Sequence, residues 1–148
     1  MFLTGGAGVG KSVVIKALYE SLTRYYQIQH LDLDHESVLL CAPTGNAAFN
    51  INGNTLHHSF ALPVQKTFQP LDSEKLNTLT NKYRHLSVVI IDEISLVSNN
   101  IFFQIDQQLQ QIKRKNNVPF GGVHMIVVGD LYQLKPVTYG WVFTQLSK

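Results

Sequence analysis

Three stretches of the chain are almost unbroken in apolar residues: Ser37-Val38-Leu39-Leu40-Cys41-Ala42, Ser87-Val88-Val89-Ile90-Ile91 and His124-Met125-Ile126-Val127-Val128. Each is short, rich in β-branched or aliphatic side chains and closed by a turn signal, the pattern of a strand buried on both faces of a parallel sheet. A fourth, shorter run, Met1-Phe2-Leu3, leads into a glycine-rich turn. Between the runs the period changes from continuous to helical. From Lys11 to about Tyr26, Val14, Leu18, Leu22 and Tyr25 recur at helical spacing with Val13 and Ala17 beside them, which predicts one apolar face. From Ser98 to Lys115, Ile101, Ile105, Leu109 and Ile112 form a stripe, and Gln104, Gln107, Gln108, Gln110 and Gln111 are expected to face water. Lys113-Arg114-Lys115 is expected in the last turn, against the negative end of the helix dipole, before Asn116-Asn117 and Pro119 stop the helix.

The connecting segments are less regular. A short helical patch is expected at 46–51, a turn at Asn52-Gly53-Asn54 and a further short element from Thr55. Residues 61–86, broken by Pro63 and Pro70, leave room for one short helix around Leu71, Leu76 and Leu79. Residues 27–36 alternate and then turn acidic, reading as an edge strand or a surface loop. His30, Asp32, Asp34 and His35 lie there, but their spacing fixes no ligand geometry, and a solvated loop accounts for them. Strands alternating with helices, and few hairpin signals, predict an α/β domain with a mostly parallel sheet and helices on both faces.

The chemistry sits where strands end. Gly5-Gly6-Ala7-Gly8-Val9-Gly10-Lys11-Ser12 has the spacing of a phosphate loop. Its four glycines let the backbone adopt positive φ and turn N–H groups toward a triphosphate. Lys11 is then expected at the β- and γ-phosphates and the Ser12 hydroxyl on Mg²⁺. The run 87–91 ends abruptly in Asp92-Glu93. Asp92 suits the Mg²⁺ shell, through a water, and Glu93 suits polarisation of an attacking water. Gln133, three residues past Asp130, is placed to contact the γ-phosphate. Since ligands of such sheets bind at the carboxyl ends of the strands, the loop, Pro43-Thr44-Gly45, Asp92-Glu93 and Gly129-Asp130 are all expected on one edge.

Bulk properties narrow this reading without redirecting it. The 148 residues suit one domain, and a net charge of +2 does not by itself mark a nucleic-acid binder. The single cysteine, Cys41, excludes an internal disulfide and suits a reducing compartment. No apolar run approaches the ~20 residues of a membrane span, and the phosphate loop occupies the place of a secretory signal. Only three or four residues precede Gly5, fewer than a buried strand usually has, so the first strand reads as truncated.

Taken in order, these motifs resemble the first motor domain of the petite-integration-frequency family of superfamily-one DNA helicases. The resemblance runs through Gly5 to Ser12, Ala42-Pro43-Thr44-Gly45-Asn46-Ala47-Ala48 and Gly53-Asn54-Thr55-Leu56-His57. It continues through Ile91-Asp92-Glu93-Ile94-Ser95-Leu96-Val97-Ser98, Pro119-Phe120-Gly121-Gly122 and Gly129-Asp130-Leu131-Tyr132-Gln133-Leu134-Lys135-Pro136-Val137, covering essentially the whole chain. It implies a single RecA-like ATPase domain over 1–148, with ATP and Mg²⁺ as cofactors and a second RecA-like motor domain absent. The activity implied is ATP-driven 5′-to-3′ translocation on single-stranded DNA, in repair, recombination or telomere maintenance. The implied setting is intracellular, nuclear or mitochondrial, with no membrane.

By carry-over, Gly5, Gly6, Ala7, Gly8, Val9, Gly10, Lys11 and Ser12 hold the nucleotide, Ser12 and Asp92 the metal, and Lys11, Glu93 and Gln133 serve catalysis. Pro43, Thr44, Gly45, Asn46, Thr55 and His57 would touch the DNA backbone, positioning a strand without reading its sequence; taken alone, His57 reads as a packed or capping residue. Asn46 stands where the family often has lysine, His58 where serine is common, and Lys135 where the first of two prolines is usual. A competing reading is a non-motor, ATP-gated nucleic-acid-binding fragment or mobile-element relic, distinguished by whether a second motor domain follows in the gene. A small-molecule P-loop kinase is disfavoured by Glu93, which invites hydrolysis.

Overall fold

A computed structural model describes residues 1–6, 8–30, 36–63 and 68–130, without the His30 side chain. Five parallel strands form one sheet in the order β1-β5-β4-β2-β3. They are β1 (Phe2–Thr4), β2 (Val38–Ala42), β3 (Asn54–Thr55), β4 (Val88–Ile91) and β5 (His124–Gly129). The helices are α1 (Lys11–His30), α2 (Gly45–Asn50), α3 (Leu56–Phe60), α4 (Ser73–Lys82) and α5 (Asn99–Ile112), with 3₁₀ turns at Ile94–Leu96 and Pro119–Gly122. Leu40 pairs with Ile90, Ile90 with Ile126, and Leu3 with Val128, so the first-expected apolar runs lie side by side at the centre.

The alternation of a strand sorts these runs into two cores. Leu39, Cys41, Val89 and Ile91 face α3, α4 and α5, meeting Leu56, Phe60, Ile105 and Leu109. Val38, Leu40, Ala42, Val88, Ile90 and Val128 face α1 and α2, meeting Ile15, Ala48 and Ile51. Both faces of the sheet are thus covered, as expected for continuous rather than alternating apolar runs. The helices start where short polar side chains accept otherwise unpaired amides. Thr44 accepts from Ala47, Thr55 from His58, Asp72 from Lys75 and Ser98 from Ile101.

Several expectations are corrected. Helix α1 runs on to His30, so residues 27–30 are neither strand nor loop; 31–35, with Asp32, Asp34 and His35, lie outside the described residues. Its inward stripe is Ile15, Leu18, Tyr19, Leu22 and Tyr26, while Val13, Val14 and Tyr25 are exposed. The stripe keeps the predicted period but is shifted in phase, because Ile15 rather than Val14 points at the sheet. In α5, Gln104 and Gln108 are buried; the Gln108 amide donates to the Gln69 carbonyl at 3.3 Å, a tertiary contact that composition cannot show. The helix ends at Ile112, so Lys113-Arg114-Lys115 is not its last turn. Lys113 instead donates to the carbonyls of Tyr83, Arg84 and Leu86 at 3.2, 2.9 and 3.0 Å, tying the end of α5 to the loop after α4.

Candidate nucleotide site at the carboxyl edge of the sheet

Because every strand pair is parallel, the turns after β1, β2, β4 and β5 share one edge. At the β1 end, Gly8 and Gly10 have φ of +75° and +88°, a conformation that L side chains rarely adopt. Gly5 and Gly6 do not, so two of the four loop glycines are needed for backbone freedom. Helix α1 begins at once, with the amides of Val13 and Val14 bonded to the Gly10 carbonyl at 3.0 and 3.2 Å. The Lys11 ammonium folds back over the loop and donates to the Gly5 and Gly6 carbonyls, at 2.7 Å each.

Across from the loop stand the residues after β4. Gly8, Gly10, Lys11 and Ser12 on one side and Asp92 and Glu93 on the other line a cleft of about 390 Å³. A cavity of about 440 Å³ beside α4 is slightly larger. Two of its charged residues, Asp72 and Lys75, are already paired with each other at 3.1 Å, and it offers no comparable chemistry.

Asp92 is 6% exposed. Burial pushes its carboxyl above the ordinary carboxylate range, against the backbone N–H of Glu93 and the Lys11 ammonium. That N–H donates to Asp92 Oδ1 at 2.8 Å. Burial and then the charge of Asp92 raise Glu93 as well, with Lys11 opposing and Asp130 adding to the rise. Glu93 also occupies the left-handed region, at φ 53° and ψ 44°. A side chain held there costs on the order of 1–2 kcal/mol relative to ordinary backbone, and such residues cluster at functional sites.

The carboxylates lie within electrostatic reach of one another and retain protons more readily than free acids. That is the environment a hard cation relieves, and oxygen donors suit Mg²⁺. Among the described residues, no group of three or more histidine, cysteine, aspartate or glutamate side chains could hold a metal alone. A site built on one hydroxyl, one carboxylate, phosphate oxygens and water requires no such group. Asp130, buried after β5, lies on this edge as its sequence position predicts, and its effect on Glu93 joins it to the site.

The residues expected to touch DNA gather elsewhere on the same edge. Thr44 caps α2 two residues after β2, and Thr55 ends the adjacent strand β3, where Ala42 pairs with Thr55. Thr44, Gly45, Asn46 and His57 are exposed and Pro43 is half-buried; none of them lines the nucleotide cleft. His57 is thus not packed, though its carbonyl accepts from Leu62 at 3.1 Å. Ala7 and Gln133, with the rest of the motif from 131 to 137, lie outside the described residues.

Pro119-Phe120-Gly121-Gly122 is a fastening and not part of the cleft. Asp106 of α5 accepts the Phe120 amide at 2.5 Å, and Phe120 packs on Phe102 with ring centroids 5.2 Å apart. A Cβ on Gly121 would stand 2.6 Å from the Leu109 carbonyl. Asp106 carries no motif signal that could have marked this task.

Comparison with known proteins places this architecture. A family model described as PIF1-like helicase matches residues 1–142. The chain is 37% identical over 140 residues to the ATP-dependent DNA helicase RRM3 of Saccharomyces cerevisiae, covering 93% of the chain and 18% of that protein. The crystal structure of the Pif1 helicase from Candida albicans superposes with a TM-score of 0.76 at 32% identity, over 97% of this chain and 32% of that one. That of the Bacteroides Pif1 helicase in complex with ADP-AlF3 and single-stranded DNA gives 0.69 at 35%, over 93% and 29%. The chain therefore spans less than a third of the length of these relatives.

Proposed function

We propose, from the premise that this chain belongs to the PIF1-like helicase family, that it is the nucleotide-binding RecA-like domain of an ATP-dependent DNA helicase. The observation that carries the proposal is the cleft in which Lys11 and Ser12 face Asp92 and Glu93. The loop amides and Lys11 bind the β- and γ-phosphates, and Lys11 exchanges its contacts with Gly5 and Gly6 for phosphate oxygens. Ser12 and Asp92 hold Mg²⁺, which when bound offsets charge on the phosphates. Glu93 takes a proton from the attacking water; its raised proton affinity makes it a better base than a free glutamate. Gln133 senses the γ-phosphate. Bound ADP-AlF3 in the Bacteroides relative supports the nucleotide reading.

The single strand runs over Pro43, Thr44, Gly45, Asn46, Thr55 and His57; the single-stranded DNA in the same relative supports the binding of a strand, without bearing on these residues. A second RecA-like domain supplies the remaining charge and the other half of the translocation cycle, giving 5′-to-3′ movement in nuclear or mitochondrial DNA repair, recombination or telomere maintenance. Titration with a fluorescent ATP analogue and Mg²⁺ tests the site. Lys11→Ala is expected to lose detectable binding with an unchanged circular-dichroism spectrum. Equal affinity in the two folded proteins would refute the assignment.

A further inference from the structure

We propose that Phe49 is a stacking platform for a base of the bound single strand. The inference rests on the reading above that the turn from Pro43 to Asn46 holds the strand.

Phe49 is 81% exposed, more than any other large apolar side chain among the described residues. The helix that carries it is fixed by its opposite side, where Ala48 and Ile51 at its end are buried against the sheet. The ring therefore cannot turn inward without unseating them. Helical geometry puts Phe49 one turn beyond Gly45 and about 40° around the axis from it. The ring thus stands directly beside the turn that begins the helix. Single exposed apolar residues are ordinary on protein surfaces; the surroundings distinguish this one.

From Ser37 to Pro63 the sequence contains no lysine, arginine, aspartate or glutamate. Thr44, Gly45, Asn46, Asn50 and Asn52, the neighbours of Phe49 in sequence, are exposed and uncharged. A strand crossing here cannot be held by fixed ion pairs from this segment. Neutral hydrogen bonds and the base faces remain, and an aromatic ring accepts any base because every base has a π-face. A protein partner is the poorer occupant: one ring among polar residues falls far short of the ~800 Å² per partner of a standard interface.

The test compares a short oligothymidylate with an abasic strand of equal length, by fluorescence anisotropy on the 148-residue chain. Phe49→Ala is expected to weaken oligothymidylate binding about tenfold, within the range measured for one stacked base, and to leave abasic binding unchanged. Phe49→Trp should keep the preference, and the loss in Phe49→Ala should be the same at low and moderate salt because no counterion is released. Equal loss on both strands, or no loss on either, overturns the stacking role while leaving the strand path intact. Failure of the wild type to bind either strand overturns the path itself and this inference with it.

Discussion

Glu93 combines two demands that pull apart. Its carboxyl stands in the cleft as the candidate base, while its backbone sits in a conformation suited to glycine. Replacing it should separate them. Glu93→Gln, tested within a complete motor, should bind nucleotide normally and lose hydrolysis; turnover at the wild-type rate would remove Glu93 from the chemistry. Glu93→Gly should also lose hydrolysis yet melt no lower than the wild type, because relief of the left-handed strain offsets the extra freedom of the unfolded chain. A clear drop in melting temperature would show that the side chain supports the fold.

The acids also set a pH dependence. Asp92 and Glu93 bind protons more tightly folded than unfolded, so across that window the native state holds more protons than the unfolded one. Stability therefore falls as pH rises from the ordinary carboxylate range through the raised values. Asp92→Asn is expected to stabilise the nucleotide-free protein at neutral pH and to converge with the wild type in acid. Urea denaturation at several pH values checks this, and a constant difference at all of them would count against it.

At the scale of elements, the three carbonyls gathered by Lys113 close the gap between α4 and α5. Lys113→Ala should cost about 1.5–3 kcal/mol, the range for hydrogen bonds to a charged group, measured as a lower urea midpoint with nucleotide binding retained. No change would mean water replaces the ammonium.

This contact also shows what the sequence could and could not convey. The central strands, the phosphate loop and Asp92-Glu93 were legible because continuous apolar runs and short-range motifs are local signals. The phase of α1, the burial of Gln104 and Gln108, and the task of Lys113 depend on what another part of the chain presents to them. A cation near a helix end looks the same in sequence whether it faces a dipole or three carbonyls. Asp130 was found by position and missed in role, since only proximity to Glu93 reveals it.

For the molecule as a whole, the proposed nucleotide site lies after β1 and β4 and the proposed strand contacts lie after β2 and around β3. Phosphoryl transfer that lacks an arginine finger is slower by about 10³–10⁵, and translocation needs two domains that open and close. The 148-residue chain alone is expected to bind ATP and single strands weakly and to leave a 5′-tailed duplex intact in a strand-displacement assay. ATP-dependent unwinding abolished by Lys11→Ala would mean that copies of the chain act as motor partners for one another.

Between the two halves of the edge runs one short link, the Asp92 amide donating to the Cys41 carbonyl at 2.9 Å, one residue before the strand leading to Pro43 gives out. That proton lies at the junction of the central pair of strands. Its replacement by deuterium requires β2 and β4 to part, an opening that for core strands approaches the full unfolding free energy. The Asp92 carboxylate and the turn at Pro43 should therefore lose their order on the same clock, and the slowest-exchanging amides should lie where the two halves meet.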